Sequence, residues 1–223
     1  ALATRELNPT AVPSSWENLR LRYTHGYGVV AARTNDATSG GLPEFLLSDL
    51  PPEGRLSLDE RPELYYGEGL DSYAIVRTKK DEIDYVSDEG TENATYEGEG
   101  GVALTGLTRR LAFALRFSDS KLLISDSLTS KSKVVYHRDI AERVRKAAPF
   151  LYFDSDPYPV VVEGRVVWVV DGYTATSRYP YAEPIDVRGL RREDGLAQAA
   201  GSNYVRNSVK VTVDAYDGTM TFY

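Results

Sequence analysis

Cysteine is absent from the 223-residue sequence, which excludes disulfide staples, thiolate nucleophiles and thiolate-held metals and leaves the compartment open. Histidine is scarce. His25 and His137 are the only two side chains that could act as neutral-pH bases without a large pKa shift. No apolar run approaches the roughly 20 residues that cross a bilayer. Ala1-Leu2-Ala3-Thr4-Arg5-Glu6 also lacks the charged and apolar regions of a signal peptide, so this stretch is expected to be soluble. It starts without Met and stops on a strand-like residue, which predicts an excised piece of a longer protein. Positive charge is in deficit. With 26 basic against 33 acidic residues the net charge is −7, a balance that repels phosphate backbones, and no nucleic-acid partner is expected.

Two motifs are also missing. There is no Gly-x-Ser-x-Gly elbow, the commonest serine-hydrolase signal. Gly101-Val102-Ala103-Leu104-Thr105-Gly106-Leu107-Thr108 has phosphate-loop spacing, yet Leu107 occupies the lysine position and acids stand just upstream. A glycine turn opening a helix is the better reading, and no cofactor is expected.

What is present is mostly strand. Ser14-Ser15 caps a short helix over residues 16–21, with Glu17 near its positive end, and Tyr27 to Ala32 reads as a strand stopped at Thr34-Asn35-Asp36. Pro43 to Leu50 reads as a turn or extended piece closed by Pro51-Pro52. Strands are predicted at residues 63–67, 72–77 and 83–86. The acids Asp81, Glu82, Asp84, Asp88, Glu89, Glu92, Glu97 and Glu99 form a run without Lys or Arg. It reads as a solvated loop; a cation surface is the alternative, but calcium-loop spacing is missing and no metal is expected.

Leu104, Leu107, Leu111 and Leu115 recur at helical spacing with Ala112, Phe113 and Ala114, predicting a mostly buried helix. Lys121-Leu122-Leu123-Ile124 then reads as a strand. Asp139 caps a second helix with Ile140, Val144 and Ala147 on one face, Pro149 as its stop, and a basic polar face of Arg138, Arg143, Arg145 and Lys146. Glu163-Gly164 joins two strands in a hairpin, and residues 186–202 read as an excursion or marginal helix. Two strand endings repeat Asp-x-Tyr, at Asp171-Gly172-Tyr173 and Asp214-Ala215-Tyr216, and both read as terminators. Asp217-Gly218 reads as a tight primed hairpin turn. These elements predict an α+β fold: a β-rich mixed or antiparallel sheet with two or three packed helices. The stretch forms a single domain over 1–223, either one unit or two interdependent lobes meeting near 125–150.

Six residues are candidates for ligand binding, and none is assigned a catalytic role. His25 sits between glycines that allow close backbone approach; a locally bonded turn histidine is the plainer alternative. His137, beside Arg138-Asp139, reads as packing at the start of a helix. Asp154 and Asp156, in Asp-Ser-Asp-Pro-Tyr158-Pro, would point the same way from an extended chain, but Asp before Pro is also an ordinary turn initiator. Tyr158 is a candidate as part of that motif, and Tyr173 belongs to a tyrosine-rich surface, with Tyr179, Tyr181 and Tyr204, suited to stacking on a sugar or peptide or to cross-strand packing. Convergence of Asp154, Asp156, His25 and Arg206 in one open pocket would favour a site.

An ordered series of motifs runs along nearly the whole chain. It comprises Tyr23-Thr24-His25-Gly26-Tyr27-Gly28, Tyr65-Tyr66-Gly67-Glu68, Ala147-Ala148-Pro149-Phe150-Leu151, Asp154-Ser155-Asp156-Pro157-Tyr158-Pro159, Trp168-Val169-Val170-Asp171-Gly172-Tyr173-Thr174, Tyr179-Pro180-Tyr181 and residues 203–210 through Tyr223. In these the chain resembles the bacterial multi-pass membrane proteins of Uncharacterised Protein Family 0182. The resemblance implies several N-terminal membrane helices outside this stretch, followed by a soluble region lying outside the cytoplasm at the cell membrane. It implies no established activity. A noncatalytic binding or scaffolding module at the cell envelope is the leading expectation, with an envelope ligand or protein as partner. An envelope hydrolase or carbohydrate-active domain, and a solute- or cation-handling domain of a transporter, are the alternatives.

Overall fold

The computed structural model describes residues 1–88, 90–190 and 195–223. Glu89 of the acidic run, and residues 191–194 of the 186–202 segment, lie outside them. The architecture is α+β, as expected, with antiparallel pairing between all the paired strands among the described residues.

Alternation builds the dominant sheet. In the strand Arg165–Thr176, Val166, Trp168 and Val170 are buried at every second position, the period that sends one side-chain set to the core. Tyr204–Asp214 pairs along one edge, from Val167↔Asp214 to Thr176↔Tyr204, and Tyr152–Phe153 and Tyr158–Val162 pair along the other. Met220–Phe222 extends the sheet outward. The expected Glu163-Gly164 hairpin is present, with both turn residues at positive φ (50° and 72°), the geometry of a primed turn.

The two Asp-x-Tyr copies do different work. Asp214 ends its strand, its Oδ1 accepting from the backbone N–H of Tyr216 at 2.8 Å and of Asp217 at 3.0 Å. Asp171 terminates nothing: it lies within the strand, pairs with Lys210, and is followed by a bulge at Gly172/Tyr173. The C-terminal hairpin exists, but Ala215 through Thr219 form its loop in place of a two-residue turn. Gly218 supplies the positive φ of 73° there.

Smaller sheets cover the first half. Leu2–Thr4, Val29–Ala37, Pro43–Ser48 and Glu53–Gly54 make one, and Val102–Ala103, Lys133–Val135 and Ala74–Val76 another. Gly26–Tyr27 pairs with Glu63–Leu64, and Glu82–Ser87 with Gly90–Ala94. The strand expected to stop at Thr34-Asn35-Asp36 runs through to Ala37.

The helices are α1 (Gly106–Phe117), α2 (Lys121–Ile124), α3 (Ile140–Ala147) and α4 (Gly195–Gln198). α1 opens at Gly106 with φ 79°, but it is not mostly buried. Leu107 and Leu115 are each 72 % exposed and Leu111 46 %, whereas Ala114 is buried and Phe113 and Phe117 pack inward. Aromatic partners decide this rotation. Phe117 stacks on Tyr73 at 4.3 Å, and Phe113 meets Tyr136 edge-on at 5.7 Å, contacts that bury more area than leucines at the same positions. Residues 121–124 are helical rather than a strand, because Asp119 Oδ1 accepts from the Lys121 N–H at 3.0 Å and caps a turn; so short an apolar run carries no period of its own. Asp139 caps α3 as expected, through Glu142 N–H at 2.6 Å. Ala148 rather than Ala147 completes the buried face, and Arg138 is buried instead of belonging to a basic surface.

Two apolar clusters result. The larger joins the main sheet, α3 and Tyr65, Tyr66 and Tyr96; the smaller gathers Leu21, Ile75, Leu104, Leu122 and Val134 beneath α1.

Candidate functional site

His25 arrives at its position through local backbone chemistry. Ser15 Oγ accepts from the Asn18 N–H at 3.1 Å, the expected cap, and the following Asn18–Arg22 turn is π-helical, closing with Tyr23 N–H to Asn18 C=O at 2.9 Å. The chain then straightens to pair Gly26 with Leu64. Only glycine fits there: a Cβ at Gly26 would stand 2.3 Å from the Arg5 carbonyl oxygen.

The His25 side chain is fully buried, with Nε2 at 2.8 Å from Asp84 Oδ1 and Nδ1 at 2.8 Å from Thr24 Oγ1. Thr24 Oγ1 donates to Glu82 Oε2 at 2.6 Å. Both ring nitrogens are thus engaged by protein side chains, and neither is left open to a substrate.

Glu82, buried to 2 % exposure, is the hub. Its Oε2 also accepts from Tyr65 Oη at 2.9 Å, and its Oε1 from the N–H groups of Tyr96 at 3.2 Å and Arg77 at 3.4 Å. Tyr65 lies against the His25 ring at 4.5 Å and meets Tyr96 edge-on at 4.6 Å. Burial, reinforced by Glu82, raises the Tyr65 hydroxyl well above its ordinary range. Behind this layer Arg138 donates through Nε to Tyr65 C=O at 2.7 Å and through Nη2 to Thr24 C=O. Full desolvation lowers its guanidinium pKa to about 10.

Outside His25 lies a cleft of about 300 Å³, lined by Tyr23, Tyr27 and Tyr85 with Arg5, Asn8 and Asp84 among its polar groups. The Tyr27 and Tyr85 rings stand 4.8 Å apart at 44°. Burial and then the Asp84 charge push the Tyr27 hydroxyl up. The arrangement offers aromatic faces over a fixed polar floor, which suits a ligand with one planar or apolar side.

The remaining candidates sit elsewhere. Asp154 Oδ1 accepts from the Asp156 N–H at 3.2 Å within a turn, and Tyr173 Oη, from the strand Arg165–Thr176, approaches Asp154 Oδ2 at 3.5 Å. Tyr158 pairs with Val169, and Arg206 lies opposite Thr174 on the same sheet. None of Asp154, Asp156, Tyr158, Tyr173 or Arg206 lines the His25 cleft. His137 packs at the start of α3, its Nδ1 3.0 Å from Glu142 Oε1 while Nε2 takes the Arg116 guanidinium at 2.9 Å.

Thr24, Tyr65, Glu82, Asp84 and Arg138 are the site residues that the sequence reading passed over. The acidic run predicts a solvated loop for Glu82 and Asp84, and the structure corrects this, since both point inward from the strand Glu82–Ser87. Their one legible signal is the Glu-Ile-Asp spacing, which puts both acids on one face once the strand predicted at 83–86 is extended back by one residue, as the structure has it. Among the described residues no cluster of three or more His, Asp or Glu side chains is arranged to hold a metal, and no helix is long and apolar enough to cross a membrane.

Fold and site together define an α+β architecture organised around a buried, hydrogen-bonded charged network. The chain belongs to the uncharacterised protein family UPF0182, whose family model matches residues 1–223. It is 44 % identical over 227 residues to a UPF0182 protein of Desulforamulus reducens and 45 % identical over 226 residues to one of Pelotomaculum thermopropionicum, in each case covering all of this chain and 23 % of the relative. A UPF0182 protein of Clavibacter michiganensis is 44 % identical over 233 residues, again with the whole chain and 24 % of the relative covered. The chain thus spans about a quarter of the length of the curated relatives it matches, as a portion of a larger protein. No solved structure matches it.

Proposed function

We propose that this chain is a noncatalytic binding or scaffolding module, forming an extracytoplasmic part of a multi-pass membrane protein at the cell envelope. The observation that carries the reading is the state of the two histidines: each has both ring nitrogens engaged by protein groups. A general base needs a lone pair within reach of substrate, and neither ring offers one. The recess over Asp84, with Tyr27 and Tyr85 as its walls, is the binding surface. A hydrolase using Asp154, Asp156 and His25 would need those groups around one opening, and the two aspartates lie outside the His25 cleft.

The test combines turnover and binding. Purified chain is screened against envelope glycans and peptides, by thermal shift for binding and by product analysis for turnover. Binding weakened at least tenfold by Tyr85→Ala, with no product formed, supports the reading; reproducible turnover abolished by His25→Ala overturns it. Sidedness is read separately. Because the chain has no cysteine, Ser130→Cys, at an exposed position, gives it a single reactive thiol. In the full-length protein an impermeant maleimide should label that variant in intact cells above the background of the unsubstituted protein, and labelling only after lysis contradicts an extracytoplasmic placement.

A further inference from the structure

The leucine row of α1 is left without a protein partner. At about 100° per residue, Leu107, Leu111 and Leu115 fall in one arc, all exposed, with exposed Ala112 continuing it. Arg116 and Arg109 follow beyond Ala112, between that arc and the core-facing Phe113, with the Arg116 guanidinium 5.2 Å over the Tyr136 ring. α1 carries three arginines and no acid, in a chain whose net charge is −7. Arg109 and Arg110 donate to the carbonyls of Ala103 (3.2 Å) and Leu128 (3.3 Å), and Arg116 to the His137 ring. None of the three forms an ion pair among the described residues. Asp119, at the end of α1, is turned inward, accepting from Trp16 Nε1 at 2.7 Å and Tyr73 Oη at 2.5 Å. α2 follows with Ile124, 78 % exposed, and the cation Lys121.

We propose that α1 docks on an anionic lipid surface, laying Leu107, Leu111 and Leu115 into the acyl boundary while Arg109 and Arg116 meet acidic headgroups. Exposed leucines on one arc, bordered by unneutralised arginines, are the pattern of a helix lying in a membrane interface. Charge argues against a second copy as occupant, because a twofold contact along this row would bring arginines of like charge together.

The experiment is co-sedimentation of the 223-residue chain with vesicles of phosphatidylcholine alone and of phosphatidylcholine mixed with phosphatidylglycerol. Binding is expected to the mixed vesicles only and to fall with added salt. Arg109→Gln with Arg116→Gln should weaken it about 25-fold, at roughly fivefold per cation near the surface. Leu107→Ser, Leu111→Ser and Leu115→Ser together should reduce the bound fraction to that on neutral vesicles. All are exposed positions, and circular dichroism confirms that each variant is folded. Absence of binding by the folded parent overturns the proposal, as does undiminished binding by the triple-serine variant. Leucine-dependent dimerisation, or capture of an acidic protein without vesicle binding, equally overturns it.

Discussion

Glu82→Ala is the perturbation on which the site geometry bears most heavily. The substitution strands four donors at once: the hydroxyls of Thr24 and Tyr65 and the backbone N–H groups of Tyr96 and Arg77. Each buried donor left without an acceptor costs about 1–3 kcal/mol. Water entering the space left by the side chain recovers part of that, so the expected loss is about 3–5 kcal/mol, the range for breaking a buried charged network. Domain stabilities are typically about 5–15 kcal/mol, so the variant should sit near the edge of folding. Urea unfolding followed by the fluorescence of Trp168, which is fully buried with its Nε1 donating to Tyr66 C=O at 3.1 Å, measures the loss. Asp81→Ala, one residue away at an exposed position, should change stability by no more than about 0.5 kcal/mol. A loss below about 1 kcal/mol for Glu82→Ala would refute the assignment of this carboxylate as the hub, on the same scale of buried donors.

Further outcomes follow from other contacts. Gly218→Ala should cost about 1–3 kcal/mol, because φ is 73° there and a Cβ would stand 2.5 Å from the Tyr66 ring; an unchanged urea midpoint would contradict the loop geometry. Leu111→Ser should be nearly neutral for stability, within about 0.5 kcal/mol, whereas a buried helix face would lose several times that. Burial raises the hydroxyl pKa of Tyr65, Tyr66, Tyr96 and Tyr216. Their folded values exceed the unfolded value of about 10, so their contribution is whole below that pH and is lost as pH rises through the folded values. Stability should fall by about 1.4 kcal/mol per pH unit for each tyrosine ionised only in the unfolded state; a flat urea midpoint through this range contradicts their burial.

Strand content and its punctuation were legible because they rest on local rules. The Glu163-Gly164 hairpin follows from residues that tolerate positive φ, and the Asp139 cap from a side chain that satisfies its own helix. Rotation of α1 was not legible, since periodicity finds a row of leucines but not the aromatic partners, Tyr73 and Tyr136, that draw Phe113 and Phe117 inward instead. Composition likewise misplaced Glu82 and Asp84. An acidic run predicts solvation on average, yet these two acids lie on one strand face opposite His25 and Thr24, nearly sixty residues away in the chain. His25 was singled out by its glycine neighbours; its bonding was settled by partners that no local pattern reveals. Asp154 takes an Asx-turn role, its carboxylate accepting from the Asp156 N–H.

Carbethoxylation of histidine measures directly whether either ring nitrogen of His25 is open to a reagent. Diethyl pyrocarbonate is added to the native chain and to the chain in urea, and modification of the His25 peptide is followed by mass spectrometry. Protection of His25 in the native state, with rapid modification once the chain is unfolded, is the predicted result. Rapid modification of His25 in the folded protein would contradict the account, because a reactive ring nitrogen would then be open to solvent and available for catalysis.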